Sequence, residues 1–182
     1  MRYPEGHKES VRARIVARAS RALRRRGLTG VSVPALMKEA GLTHGAFYGH
    51  FKDRDALLAA AVEFAGQESA ERVLGPGTPD AESMLAAYCS PEHAAHPEGG
   101  CVLAALGTEA AHQPAPVRRA FASTARGFLG LVQAKLHPTR RSQPPADDAL
   151  ATAARMVGAV VLARLVQDEA LATRILAAAR AP

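Results

Sequence analysis

Between Ser32 and Arg54 the chain reads SVPALMKEAGLTHGAFYGHFKDR, and this stretch restricts the fold more than any other. Ser32 can cap a helix that tolerates Pro34 in its first turn. Gly41 halts that helix, Thr43 can cap a third, short one running through about Phe51, and Asp53 caps a fourth. Helices this short cannot bury their apolar residues alone. Leu36, Met37, Leu42, Phe47 and Phe51 have the spacing to fill one small core with a preceding helix, on which Val11, Ile15, Ala19 and Ala22 recur along one face. The other faces of that first helix carry Arg12, Arg14, Arg18, Arg21 and Arg24, and Gly27 ends it. Thr43, His44, Gly45, Tyr48 and His50 are left on or near the outward side of the third helix. Such a helix-turn-helix presents a helix N-terminus that can enter a DNA major groove, although a plain three-helix core fits the same spacing.

Charge is segregated in the same place. Residues 1–56 carry 12 Lys and Arg against 5 Asp and Glu, the remainder 11 against 12, so the formal charge of +6 belongs to the first third. A basic module on a near-neutral body is the electrostatic footprint of a nucleic-acid binder; a solvated basic surface is the bland alternative. No apolar run approaches the roughly 20 residues that span a bilayer, with 156–163 among the longest. The charged N-terminus lacks the apolar stretch of a secretory signal. No membrane partner and a cytoplasmic setting are therefore expected.

The rest of the sequence predicts helices and no persuasive strand. The fourth helix reaches about Leu74, and Gly75 to Asp80 reads as a turn. Further helices are expected over 80–89, 101–112, 115–136, 146–166 and 168–180, with breaks at 91–100, 112–114 and 138–145. The expected fold is all-α with about nine helices, divided into residues 1–53 and residues 54–182. Leu150, Ala154, Val157, Val161 and Leu165 form one apolar stripe, while Met156, Val160 and Ala163 make another side apolar. A helix apolar over so much of its circumference must be covered on more than one side. Leu171, Ile175 and Ala178 stripe the last helix. Pairing these helices between two copies gives a four-helix bundle and a homodimer; a monomer burying both sides is the alternative.

Any effector pocket belongs to the middle segment, where Phe64, Met84, Tyr88, Leu103, Phe121, Phe128 and Met156 are the large apolar candidates. His112 and Gln133 are possible polar contacts. The same residues read equally as ordinary core. Cys101 follows two glycines and opens the helix CVLAALGTEA, where unpaired N–H groups favour a thiolate; a small buried hydrophobe is the alternative. Cys89, His93, His96 and Cys101 include enough ligands for zinc, but the spacing matches no familiar finger and Pro91 and Pro97 predict an irregular loop. No metal or cofactor is expected, nor a Cys89–Cys101 disulfide without a redox stimulus. Phosphate-binding glycine loops, HExxH and Gly-x-Ser-x-Gly are absent from the sequence, so an enzyme is not expected.

Residues 8–60 closely resemble the DNA-binding domain of TetR-family transcriptional repressors, and GLTHGAFYGHFKDRDALL (41–58) looks like that family's signature. The resemblance covers nearly a third of the chain; the helical remainder matches the family's effector-binding and dimerisation domain in architecture only. It implies a homodimeric regulator on palindromic double-stranded DNA, released by a small-molecule effector. Thr43 opens the recognition helix, and His44, Gly45 and Gly49 fall where the family approaches base edges. Tyr48, His50, Lys52 and Arg54 fall on phosphates, with Ser32 capping its helix near another. Gly45 and Gly49 carry no side chain, and Val33 and Pro34 replace residues that are often polar. His44 therefore takes an unusual share of base reading, helped by the Ala46 methyl against thymine and by DNA shape. The segment GGCVLAALGTEAA (99–111) resembles a Gly-Cys helix opening in electrophile-sensing members of the family, which implies thiol modification of Cys101 as an alternative trigger. A helical ligand-binding or interaction dimer that does not act on DNA is the remaining alternative.

Overall fold

The computed structural model describes residues 6–74 and 79–181, and all regular structure among them is helical. In the head, α1 (His7–Arg26) is followed by α2 (Val33–Glu39) and by a single 3₁₀ segment, His44–Gly49. The local signals act as the sequence predicts. Ser32 Oγ accepts the Ala35 N–H at 3.4 Å, Thr43 Oγ1 accepts the Ala46 N–H at 3.4 Å, and Asp53 Oδ1 accepts the Ala56 N–H at 2.8 Å. Gly41 adopts φ +72°, the left-handed geometry that lets α2 end and the chain reverse, with the Leu42 N–H donating to the Met37 carbonyl at 2.9 Å. The recognition element is tighter and shorter than the helix expected through Phe51. Two glycines within its six residues, Gly45 and Gly49, lower its α-helix propensity.

The body contains α3 (Arg54–Leu74), α4 (Ala81–Tyr88), α5 (Pro91–Ala95), α6 (Val102–Leu106), α7 (Ala115–Leu136), α8 (Asp147–Leu165) and α9 (Glu169–Arg180). The stretch 91–100, expected as an irregular break, instead holds α5 and a 3₁₀ turn at Pro97–Gly99. Ser90 Oγ caps α5 by accepting the His93 N–H at 3.1 Å, and Pro91 takes the first helical position. The single helix expected over 101–112 divides: α6 stops at Leu106 and a 3₁₀ segment covers Gly107–His112. Glu109 in that segment reaches back to accept the Leu28 N–H at 2.9 Å, tying it to the end of α1. Of the turn expected at Gly75 to Asp80, residues 75–78 lie outside the described residues. Asp80 caps α4 by accepting the Ser83 N–H at 2.7 Å.

Two buried clusters organise these helices. The first joins Ile15, Leu23, Met37, Phe47 and Phe51 of the head to Leu57, Leu58 and Val62 of α3, and continues to Leu106 and Phe121. It therefore runs across residue 53 without a gap, and α3 is the beam shared by head and body. The second cluster packs Met84, Tyr88, Cys89, Cys101 and Phe128 against Ala149, Ala153, Met156 and Val160 of α8 and Leu176 of α9. Burying one large apolar side chain stabilises by roughly 1.5–3 kcal/mol. Arg24, read with the basic residues off the apolar face of α1, is buried, and Glu68 and the Gly100 carbonyl meet its guanidinium there.

Candidate nucleic-acid interface and effector cavity

In the head, Ser32, His44, Tyr48, Lys52 and Arg54 line one open groove together with Thr29, Val33 and Pro34. The caps that fold α2 and the recognition segment also bring both of their N-terminal ends to this groove. Thr43, Gly45 and Gly49 are exposed, and Ala46 is half-buried. Tyr48 is 67 % exposed, with its ring edge-on to His44 at 5.9 Å and to Phe47 at 5.2 Å. A phenol so placed can offer its hydroxyl to a phosphate oxygen. Lys52 is exposed beside Asp53 at 3.6 Å.

Two of the residues assigned to phosphate behave differently. Arg54 is half-buried, and its Nη2 donates to the Leu28 carbonyl at 2.5 Å and the Val31 carbonyl at 3.5 Å. It fastens the start of α3 to the α1–α2 connection rather than standing free in the groove. His50 is half-buried with Nδ1 enclosed and without a hydrogen-bond partner. Burial first, then the charges of Lys8, Arg12 and His7, holds its pKa below the usual 6.5. A neutral imidazole can still meet a phosphate as a hydrogen-bond donor, without a formal charge. Arg12, read from the sequence only as one of the basic residues of α1, places its guanidinium 4.9 Å from the centre of the Phe51 ring and holds a charge over the head core.

In the body, α3, α6, α7 and the end of α4 enclose a cavity of about 300 Å³. Of the predicted pocket residues, Tyr88, Leu103 and Phe128 line it, and so does Cys101. The other six do not. Met84 and Met156 are wholly buried in the second cluster, while Phe64 and Phe121 pack on the first. His112 is exposed on the 3₁₀ segment after α6. Gln133 is buried, but its amide donates to the Arg140 carbonyl at 3.4 Å and accepts the Ala146 N–H at 3.0 Å, which stitches the α7–α8 connection. Large apolar side chains fill space; the void opens where small ones face each other. Gly66, Ser69 and Ala70 on α3 oppose Ser123, Thr124 and Gly127 on α7. Their recurrence at helical spacing on two long helices was the signal that could have found it.

The peptide joining Gly100 to Cys101 links this cavity to the head. The Gly100 carbonyl accepts from Arg24 Nη1 of α1 at 2.7 Å and from Ser69 Oγ of α3 at 2.7 Å. Arg24 also pairs with Glu68, whose pKa is held below 4.5 by Arg24 and Arg21 against the opposing effect of burial. On the other side of the peptide, the Cys101 N–H donates to His93 Nε2 at 2.9 Å. His93 must then carry its proton on Nδ1, which donates to the Tyr88 carbonyl at 2.6 Å. Burial is the main reason its pKa is lowered, and the Arg164 charge adds to it. Gly100 has no room for a side chain, since a Cβ there would lie 2.7 Å from the His93 ring.

Cys101 stands before α6 as its cap residue and makes no side-chain cap bond; the helix it precedes has only five residues. Burial pushes the Cys89 thiol up. With both nitrogens of His93 already bonded and His96 turned toward Glu98 at 3.9 Å, the four Cys and His residues do not form a ligand set. Among the described residues, no group of three or more His, Cys, Asp or Glu is placed to hold a metal.

On α8 and α9 the inner side is covered and the outer side is bare. Met156, Val160 and Ala163 are buried, whereas Leu150, Leu165 and Leu171 are 41 %, 67 % and 39 % exposed. Ala154 is exposed and Val161 half-buried, while the half-buried Val157 and Ile175 pack against the second cluster. Leu162, which the stripe did not include, is 52 % exposed there. No described helix is long and apolar enough to cross a membrane.

By its fold and its exposed recognition segment, the chain is a helix-turn-helix protein with a helical companion domain. Residues 15–61 match the profile of the bacterial regulatory proteins of the tetR family. It is 35 % identical over 51 residues to YerO of Bacillus subtilis, an uncharacterized HTH-type transcriptional regulator; the match covers 28 % of this chain and 18 % of YerO. Solved structures match over nearly the whole length. Reduced NemR of E. coli is 23 % identical with a TM-score of 0.74, covering 94 % of this chain and 93 % of that one. A TetR-family regulator from Agrobacterium tumefaciens is 20 % identical with a TM-score of 0.76, covering 96 % and 97 %. One from Cytophaga hutchinsonii is 19 % identical with a TM-score of 0.77, covering 98 % and 95 %.

Proposed function

We propose that the protein is a DNA-binding transcriptional regulator that acts as a homodimer and is released from its operator by a small molecule in the body cavity. The groove that gathers Ser32, His44, Tyr48 and Lys52 at the two capped helix starts carries this reading. Exposed Leu150, Leu162, Leu165 and Leu171 supply the self-complementary apolar face that a two-fold dimer needs. Such a dimer places two recognition segments about 34–36 Å apart, one turn of DNA. Release follows from the shared beam. A ligand that displaces Ser69 or the Gly100 carbonyl moves the anchor of Arg24, and α1 and α3 then carry the heads to a spacing that no longer fits.

Selection of bound duplexes from a random pool tests the DNA reading. A two-fold symmetric sequence should emerge, its affinity falling steeply with salt as counterions are released. His44→Ala should narrow the ratio between selected and scrambled DNA. If no common sequence is enriched, the helical interaction dimer replaces the regulator. Thiol modification of Cys101 is the second reading, supported by its place in the cavity wall although it is only 4 % exposed. Cys101→Ser should then abolish DNA release by small electrophiles; unchanged release removes this reading.

A further inference from the structure

Among the described residues, the Tyr88 hydroxyl is one of three buried side-chain polar atoms without a hydrogen-bond partner, with His50 Nδ1 and Arg164 Nη1. Tyr88 is 1 % exposed, it lines the cavity, and its hydroxyl oxygen has no nitrogen or oxygen partner, with only the Cys101 sulfur beside it. The Cys101 thiol beside it is a weak acceptor at best. The side chain cannot swing away to find another partner. His93 packs edge-on to the ring at 4.6 Å while holding the Tyr88 carbonyl, and Phe128 lies at 5.6 Å. Burial also lifts the phenol pKa well above 10, so the group remains an O–H donor at any working pH.

The walls limit what can satisfy it. Ala70, Val102, Leu103, Phe128 and Leu131 give an apolar part of the wall, Gln67, Ser69, Ser123 and Thr124 a neutral polar part, and among the described lining residues none is positively charged. The charged one is Glu63, on the exposed face of α3. Arg164 stands outside the lining, where its Nε and Nη2 donate to the carbonyls of Ala94 and His93 at 3.0 Å each and its buried Nη1 has no partner. Its field favours a partly negative atom near Tyr88, while an anion entering the cavity finds no cation to touch. A cavity of about 150 Å³ suffices for benzene, so about 300 Å³ accommodates one or two rings.

From this we infer that the cavity takes an uncharged molecule of one or two rings whose inner end carries an acceptor oxygen, such as a ketone, held by the Tyr88 hydroxyl. The inference rests on the effector reading of the same cavity and assigns the ligand class.

Calorimetric titration of the 182-residue chain under reducing conditions tests it with three probes of one size: 1-tetralone, tetralin and 1-naphthoate. 1-Tetralone should bind best, with tetralin roughly five- to tenfold weaker for want of the hydrogen bond and 1-naphthoate weaker still. Tyr88→Phe, which keeps the ring in place, should lose the same roughly five- to tenfold for 1-tetralone and leave tetralin unchanged. Ala70→Phe, filling the cavity from α3, should abolish binding of both and covers the case in which Tyr88→Phe misfolds. Equal 1-tetralone affinity in Tyr88→Phe, 1-naphthoate binding as tightly as 1-tetralone, retained binding in Ala70→Phe, or no binding of any probe overturns the inference. DNA release is read separately: 1-tetralone that binds in this pattern but leaves the DNA complex intact upholds the ligand class and sinks the effector reading.

Discussion

The head and the body solve the packing problem in opposite ways. In the head, large side chains meet each other and α3: Ile15, Leu23, Leu28, Met37 and Phe47, with Leu57 and Leu58 of α3, are all 2 % exposed or less. In the body, α8 offers Ala149, Ala153, Ala159 and Ala163 to its neighbours, and small residues on α3 and α7 face each other across a void. A tightly interlocked core transmits displacement as a unit, whereas a cavity admits a guest and yields around it. The contrast suits a rigid reader joined to a compliant receiver, with α3 common to both.

The largest effect should come from cutting into the head. Phe47→Ala is expected to cost about 3–5 kcal/mol of stability and to abolish DNA binding, while probe binding in the body persists at low temperature. Urea unfolding followed alongside calorimetry checks this, and loss of both activities together would mean that the two regions do not respond separately. Next comes the link between them. Arg24→Met should destabilise by about 2–4 kcal/mol, since it strips Glu68 and the Gly100 carbonyl of a buried partner. In the surviving folded protein, a cavity ligand should shift DNA affinity less than in the parent, read by DNA titration with and without ligand.

Arg54 and Lys52 sharpen the comparison within the head itself. Arg54→Ala should cost about 1.5–3 kcal/mol through its lost carbonyl bonds. Lys52→Ala should change stability by no more than about 0.5 kcal/mol, yet lower the salt dependence of DNA binding by about one counterion. Equal effects of the two on stability would undo the structural role given to Arg54. The smallest effect is a pH dependence of the body. The folded-state pKa of His93 lies below the usual 6.5, so the unfolded chain takes up its proton first. Stability from this residue is present above pH 6.5 and drains away as the pH falls from there toward the folded pKa. Thermal unfolding of His93→Gln should decline less on acidification than the parent does. His50, shifted in the same direction, contributes a like term from the head that His50→Gln isolates.

Residues whose consequences are local were legible in the sequence. Ser32, Thr43 and Asp53 bond to N–H groups three positions away, and Gly41 needs only its own φ, so each can be read from a handful of neighbours. The bare stripe from Leu150 to Leu165 was legible for a related reason, because periodicity along one helix is a property of that helix. Arg24 was not. What buries it are Glu68 and the Gly100 carbonyl, 44 and 76 positions away, and nothing within α1 distinguishes it from Arg21 or Arg25. Gln133 misled for the same reason: a buried amide near a pocket and a buried amide closing a loop look alike until their partners are known.

By itself, then, the sequence determined where helices start and stop, which end of the molecule is positively charged, and which outer face of α8 is apolar. Tertiary structure alone decided that the small residues of α3 and α7 face each other across a cavity, that Tyr88 borders it without a hydrogen-bond partner, and that one peptide bond ties it to α1. The physical reason is range. Caps and amphipathic periods are set by groups within a few residues of one another, whereas a void, an orphaned hydroxyl and a buried charge are defined by atoms that folding brings together from distant parts of the chain.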